Sequence, residues 1–229
     1  FAYTEGNLLS VDKFYLNEKG EILLEETEDP ISIDIASYTI RDIRKGNTYE
    51  YPIVKIGTQY WMREDLCATA YRDGTTLNKQ TQLGEGAGYF RPQSTETYFY
   101  NGEAVLEGEL APAGWKIPDS DDWQALKEYT KDGASILKTG EWEVLKEGDT
   151  IDSGSNLTGF SAYPVGIWGA GKNISPKQLV CYWTLNETEN SIPEQSISFT
   201  GSSVKFSVAA THVKNETYYK AFSIRCIKE

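Results

Sequence analysis

Only one stretch of this 229-residue chain carries a helix's start, period and stop. Pro118 and Asp119 precede it, and Asp122, three residues on, makes a variant of the capping box. Trp123, Leu126 and Thr130 then share one face with Tyr129 alongside, and Gly133 is placed to end the run. A weaker helical turn is expected over Ala134 to Lys138. Nearly everything else alternates apolar and polar residues in short runs cut by turn residues. That texture confines the chain to an α+β fold: one main helix, many short antiparallel strands and long ordered loops.

The strand signals can be placed. Asp42 to Tyr49 reads as a strand, a Gly46-Asn47 turn and a return strand through Pro52 to Ile56, with a second turn at Gly57-Thr58-Gln59 into Tyr60-Trp61-Met62. Residues 69 to 97, rich in Gly, Gln and Thr, read as loop. Gly84, Gly86 and Gly88 precede no convincing helix, and no Lys follows at phosphate-loop spacing, so they are read as plain loop. Val204, Phe206 and Val208, then Phe222, Ile224 and Cys226 after a Lys214-Asn215 turn, suggest a terminal antiparallel hairpin. Residues 1 to 40 differ in character. Phe14 to Leu16 and Glu21 to Leu24 flank a turn at Lys19-Gly20, and Ile31, Ile33 and Ile35 alternate with shorter or polar residues. We read 1 to 40 as a β-rich lead-in and 41 to 229 as the main domain.

Composition narrows the function. Lys plus Arg total 22 against 34 for Asp plus Glu, a formal charge of −12, which argues against nucleic-acid binding because phosphate neutralisation needs cations. A content of 39% hydrophobic and 13% aromatic residues excludes general disorder. No run reaches the ~18–20 apolar residues of a membrane span. The start at Phe1, without Met or an apolar leader core, reads as a processed or trimmed product. Cys67, Cys181 and Cys226 permit at most one bridge. The sequons at Asn156, Asn173, Asn186 and Asn215 are read as polar turns.

Four blocks resemble one known family. Tyr51-Pro-Ile-Val-Lys-Ile-Gly-Thr-Gln-Tyr-Trp-Met-Arg-Glu-Asp-Leu66 is similar to the opening signature V-K-I-G-x-Q-x-W-M-x-E-N-L of the Fibrobacter succinogenes major paralogous domain. Thr97 to Asn101 and Leu110-Ala-Pro-Ala-Gly-Trp-Lys-Ile-Pro118, running on to Trp123, resemble its L-A-P-x-G-W-H-x-P segment. Gly159 to Gly166 with Tyr182-Trp-Thr184, and the close Ala221-Phe-Ser-Ile-Arg-Cys-Ile-Lys228, match the third and fourth. The resemblance implies a C-type-lectin-like fold over residues 41 to 229 and an exported surface protein or lipoprotein of the Bacteroidetes or Fibrobacteres. Its location would be extracellular or on the cell surface, associated with the outer membrane and not membrane-spanning. A lipid anchor upstream of Phe1 would fit that setting. Lys116 stands where the family usually has His, and Ala111 where a Cys is frequent. Cys226, lacking its expected partner, is then either unpaired or joined to Cys181.

Chemistry is weighed against plainer readings. His212 is the only imidazole, and an ordinary edge histidine is the better reading than a Ser-His-Asp or Cys-His relay. No close pair of reactive cysteines suits a formylglycine-generating type of oxidase. Glu64-Asp65, Asp121-Asp122 and Glu141/Glu143 could supply a hydrolase's carboxylate pair, yet Asp119 to Asp122 is accounted for by helix capping. Asp149, Asp152 and Asn156 offer hard oxygens at loop spacing for a structural calcium, without the EF-hand pattern; Ile192-Pro193-Glu194-Gln195 only faintly echoes a lectin triplet. Trp61, Trp115, Trp123 and Trp183 belong to the core blocks, which leaves Trp142 and Trp168. Trp168 falls where the resemblance places a long ligand-contacting loop, near residues 165 to 180. With Tyr163 and Asn173 as neighbours, it either stacks on a ligand or fills the loop's own small core. The chain is therefore expected to be a non-enzymatic recognition domain binding a glycan or a surface protein. A structural or assembly module is the second reading and an orphan hydrolase the third.

Overall fold

The computed structural model describes residues 38–82, 86–93, 95–107, 109–131, 133–185, 195–201 and 220–229, with isolated strand segments at 3–4, 7–8, 14–16, 22–24 and 207–210. The chain opens with β1 (Tyr3–Thr4), β2 (Asn7–Leu8), β3 (Phe14–Leu16) and β4 (Ile22–Leu24). Longer strands follow as β5 (Thr39–Arg44), β6 (Asn47–Ile56) and β7 (Gln59–Met62). The middle holds β8 (Asn78–Lys79), β9 (Gly88–Phe90), β10 (Phe99–Tyr100), α1 (Gly102–Glu107), β11 (Trp115–Lys116) and α2 (Ser120–Tyr129). The last third supplies β12 (Ile167–Gly169), β13 (Lys172–Ile174), β14 (Leu179–Trp183) and β15 (Gln195–Thr200), then β16 (Ser207–Ala210), β17 (Lys220–Ala221) and β18 (Ile227–Lys228). The protein is α+β and mostly strand, and no described helix is long and apolar enough to cross a membrane.

The central sheet has seven strands in the order β11-β18-β7-β6-β5-β3-β4. Its β5–β6 turn is Lys45-Gly46, one residue earlier than the sequence reading placed it, with φ of 46° and 82°. Both central residues of this tight hairpin are left-handed, as a turn matching the twist of its strands requires. The β3–β4 hairpin of the lead-in forms as expected, and β3 runs parallel to β5 with Phe14 opposite Ile40. The strand expected at Ile31, Ile33 and Ile35 lies outside the described residues. The family's first and last blocks meet in this sheet, where Ile227 pairs with Trp61.

The expected terminal hairpin is corrected. β16 pairs with β15, whereas β17 pairs with β12 and β18 with β7 and β11. Alternation in the sequence marks which face of a strand is buried, but it cannot say which strand lies beside it. The strands β8 and β9, inside the region read as loop, and the short helix α1 beyond it were missed because each is too brief to show a period.

Helix α2 behaves as its capping residues direct. Asp119 Oδ1 accepts from the Asp121 and Asp122 amides at 2.9 Å each, and Asp122 Oδ2 accepts from the Asp119 amide at 3.0 Å. The helix stops before Gly133: Thr130 is its C-cap and Lys131, at φ 53°, takes the left-handed position. A 3-10 turn at Ser135–Leu137 stands where the second helical turn was expected. The helix buries Trp123 and Leu126, each worth about 1.5–3 kcal/mol. Trp123 lies 4.8 Å from Trp61 between ring centroids and stacks on Tyr182 at 5.9 Å, with Phe160 and Phe199 completing the aromatic core. All four family tryptophans are buried as expected, and Trp183 Nε1 donates to Tyr100 O at 2.8 Å.

Two arginines are enclosed in this core. Arg44 Nε donates to Asp42 Oδ2 at 2.7 Å, and its terminal nitrogens donate to Ala70 O and Leu110 O. Burial pushes the Asp42 carboxyl above the usual range even with Arg44 beside it. Arg225 donates to Asp65 Oδ1 from both Nε and Nη2, at 2.9 and 2.5 Å, and to Tyr182 Oη, Met62 O and Phe160 O. The Asp65–Arg225 pair thus bolts the opening block of the family signature to its closing block. Sequence reasoning had offered Asp65 as a candidate acid, and it is engaged here instead.

Candidate functional site

The loop singled out by the sequence is a hairpin of β12 and β13, turning at Ala170 and Gly171 with φ of 49° and 73°. Trp168 points inward from it. Its ring is 9% exposed and stacks on Phe90 at 5.6 Å, within a cluster that includes Phe99 and Ala221. The ring is turned inward, and its buried cover comes from β9, β10 and β17 and not from the loop itself. The cause is the pairing of β12 with β17, which lays Trp168 opposite Ala221 and gives the indole a dry wall. Asn173 stands directly across from Trp168 and its Nδ2 donates to Val165 O at 3.0 Å. Its Oδ1 sits over Gly166, where a Cβ would fall 2.4 Å away, so only glycine fits there.

Tyr163 is the most exposed of the three, at 50%, whereas Asn173 is half-buried. Its ring lies across Gly140 (φ 84°), so closely that a Cβ at that position would meet it at 2.2 Å. Beside this segment, Lys177 Nζ approaches Glu141 at 3.6 Å and Glu143 at 3.9 Å. The Lys177 amide donates to Pro164 O at 2.7 Å and the Glu143 amide to Lys177 O at 2.7 Å, which places the 141–143 and 163–178 segments side by side. Lys177 was not anticipated. More than thirty residues separate it from Glu141, and no local pattern links the two.

The three oxygen donors proposed for calcium are engaged separately. Asp152 pairs with the enclosed ammonium of Lys138, Nζ to Oδ2 at 3.2 Å. Asn156 closes on Ser161, accepting from its amide at 2.8 Å and donating to its Oγ at 3.0 Å. Asp149 is exposed in a turn whose amide donates to Lys146 O. Among the described residues no group of three or more His, Cys, Asp or Glu side chains could hold a metal ion. Spacing along the loop had suggested convergence, yet the loop folds so that its carboxylate meets a lysine supplied from fourteen residues upstream. Burial lowers the pKa of that lysine, with Asp152 pulling it back. Trp142, the other tryptophan outside the family blocks, is 3% exposed, faces Lys138 at 4.9 Å and donates from Nε1 to Thr139 O.

Among the described residues, two of the surface clefts can be compared. The larger, about 540 Å³, lies between the β6–β7 hairpin, the end of α2 and the 156–159 turn, and its walls include Val54, Ile56, Tyr129, Ile136 and Leu157. Three of its polar side chains are engaged within the protein: Thr158 Oγ1 donates to Ile136 O at 2.8 Å, Arg63 Nε to Gly159 O at 3.1 Å, and Asn156 is closed on Ser161; the exposed Lys55 also lines it. The smaller, about 320 Å³, is bordered by Tyr71, Asp73, Thr75, Glu107 and Glu109. Asp73 is held below the usual carboxylate range by the Thr75 amide at 2.7 Å, and Glu109 pairs with Arg72 at 3.0 Å. Sequence reasoning missed both clefts, since their walls come from segments far apart in the chain.

The remaining candidates for catalysis have structural partners or fall elsewhere. Asp121 and Asp122 lie in the first turn of α2, where Lys116 joins Asp119 and Asp122 at 2.8 Å each. His212 and Glu194 lie outside the described residues, as do Ile192, Pro193 and Gly84. The three cysteines are free thiols, so of the two alternatives Cys226 is unpaired and not joined to Cys181. Burial raises the Cys67 thiol and pushes Cys226 up to about 12.

Comparison with curated proteins and with solved structures finds no match. A family model, described as the Fibrobacter succinogenes major domain, matches residues 54–228, beginning in β6 and ending in β18. Its limits enclose the described apolar core apart from Tyr38, Ile40, Tyr51 and Ile53, and they contain both partners of the Asp65–Arg225 pair. This chain belongs to the Fibrobacter succinogenes major domain family.

Proposed function

We propose that this chain is a non-enzymatic recognition domain of C-type-lectin-like fold, exported to a bacterial cell surface, which binds a glycan through its 163–178 segment. The observation that carries this reading is Tyr163, half exposed and laid flat over a glycine that has no room for a side chain. A held aromatic face with a cation and two carboxylates alongside supplies what a sugar ring needs: stacking area, donors and acceptors. Trp168 acts from beneath as the support of the hairpin, and Asn173 fixes its turn to Val165. In this reading Asp42, whose carboxyl burial raises, serves the fold through its pair with Arg44.

A glycan array with wild type and Tyr163→Ala tests the reading. Binding that falls at least tenfold in the variant is expected; no binding to any glycan, or equal binding by both proteins, would remove the sugar reading at this segment. Trp168→Phe keeps the stack on Phe90 and should bind as wild type. A second reading, assembly through strand pairing, is favoured by β4, which ends the order of the seven-stranded sheet. Deleting residues 1 to 37, which leaves β5 whole, would then abolish assembly while the family domain still unfolds cooperatively.

A further inference from the structure

We propose that Lys138 serves as a resident cation, holding together the loops of this domain, so that their order and any recognition through them are independent of calcium. Among the described residues, the cradle around its ammonium includes three oxygens on two other segments. Nζ donates to Asp152 O and, at 3.1 Å, to Thr200 O, and it lies 3.2 Å from Asp152 Oδ2. The last contact is an ion pair by distance but is not aligned as a hydrogen bond, since Asp152 Oδ2 has no aligned donor. The Trp142 ring covers the ammonium at 4.9 Å, and the Lys138 side chain has no exposed surface.

The surrounding backbone is shaped to this contact. Gly154 (φ 83°) passes so close to Lys138 that a Cβ would fall 2.5 Å from its Cβ and its carbonyl oxygen. Asp152 Oδ1 accepts from the Gly154 amide at 3.0 Å, and the Asp152 amide donates to Gly201 O at 2.7 Å. One charged group therefore ties the 138–142 segment, the 152–154 loop and the end of β15. A hard cation bound by two carbonyls and a carboxylate would do the same work with the same oxygens. An ammonium on a flexible stem offers three donors to those oxygens and cannot dissociate from the chain.

The corollary is a latent cation site. With the ammonium removed, Asp152 O, Asp152 Oδ2 and Thr200 O would face a small space that carries one negative charge and has lost its cation. Lys138→Ala should lower the melting temperature by about 6–12 °C, the scale for leaving a buried charge unpaired in a domain of this size. Calcium or methylammonium, added in excess, should restore half or more of that loss. Neither should move wild type, and excess EDTA should leave wild type unchanged. Asp152→Asn retains the ammonium and should melt below wild type without responding to either cation.

Wild type stabilised by calcium or destabilised by EDTA would overturn the proposal. A Lys138→Ala variant as stable as wild type, or one indifferent to both cations, would do the same. Should that variant fail to fold alone, it is refolded with and without methylammonium, and folding is followed by tryptophan fluorescence. Folding only with the cation supports the proposal, and no folding under either condition overturns it. Every readout is thermal or spectroscopic and needs no glycan, so a failure here is distinct from a failure of the binding assay.

Discussion

Removing Arg225 should be among the most damaging single changes available in this fold. Its guanidinium is enclosed, forks onto Asp65 Oδ1 at 2.9 and 2.5 Å, and donates to the carbonyls of Met62 and Phe160. It also lies against Phe160 and Tyr182, 4.7 and 5.2 Å from their ring centroids. In Arg225→Met the stem and its packing are largely retained, but Asp65, only 15% exposed, loses its counter-charge and the carbonyls lose their donor. Breaking a buried pair from one side costs about 3–5 kcal/mol, and an orphaned carbonyl adds about 1 kcal/mol or more. We expect about 4–5 kcal/mol in total, a large share of the ~5–15 kcal/mol that holds a domain folded.

Urea denaturation followed by tryptophan fluorescence measures this directly. With a slope of about 2 kcal/mol per molar, the midpoint should fall by about 2 M with the slope unchanged. Arg225→Lys keeps the charge but not the fork and should lose about half as much. Asp65→Asn combined with Arg225→Met should be less harmful than the two single losses added together, because the second change removes a charge that the first has already stranded. A loss below about 1 kcal/mol for Arg225→Met, or strict additivity in the double variant, would refute the view that this pair joins the two ends of the family domain.

Two further outcomes follow from local features. Asp119→Ala should cost about 1 kcal/mol by removing the cap of α2. Burial works to raise the Asp119 carboxyl, but Lys116 and the helix amides outweigh it and hold the pKa below 3.8. The cap's contribution is then present above pH 3.8 and lost as pH falls through the lowered value, so chemical denaturation of wild type and variant should converge in strong acid. For the thiols, Cys226 with its pKa near 12 should react with iodoacetamide at pH 8 about three orders of magnitude more slowly than a free cysteine, and all three should label at once in urea. Rapid native labelling of Cys226, read by peptide mass, would contradict the enclosed position of the closing strand.

The sequence by itself determined what depends on neighbours along the chain. The cap of α2 at Asp119 and Asp122, the hairpins of β3–β4, β5–β6 and β6–β7 and the α+β class are set by local turn chemistry and periodicity, and the burial of the four tryptophans is what the resemblance of their blocks to the family implied. Tertiary structure decided everything that requires distant segments to meet. It brought Asp65 to Arg225 and Lys177 to the glutamates at 141 and 143, pairings with no local signature. It sent β16 to β15 and not to the closing strands, because alternation defines a strand's faces and leaves its partner open. The candidate site changed in the same way. The oxygens at 149, 152 and 156 looked like ligands in sequence, but side-chain direction and the arrival of Lys138 turned Asp152 into one half of an ion pair. Trp168, conspicuous among glycines, found a dry wall in Phe90 and turned inward, since burying an indole gains more than leaving it in water. Tyr163 found no such wall and remained at the surface, backed by a glycine that only the folded chain placed beneath it.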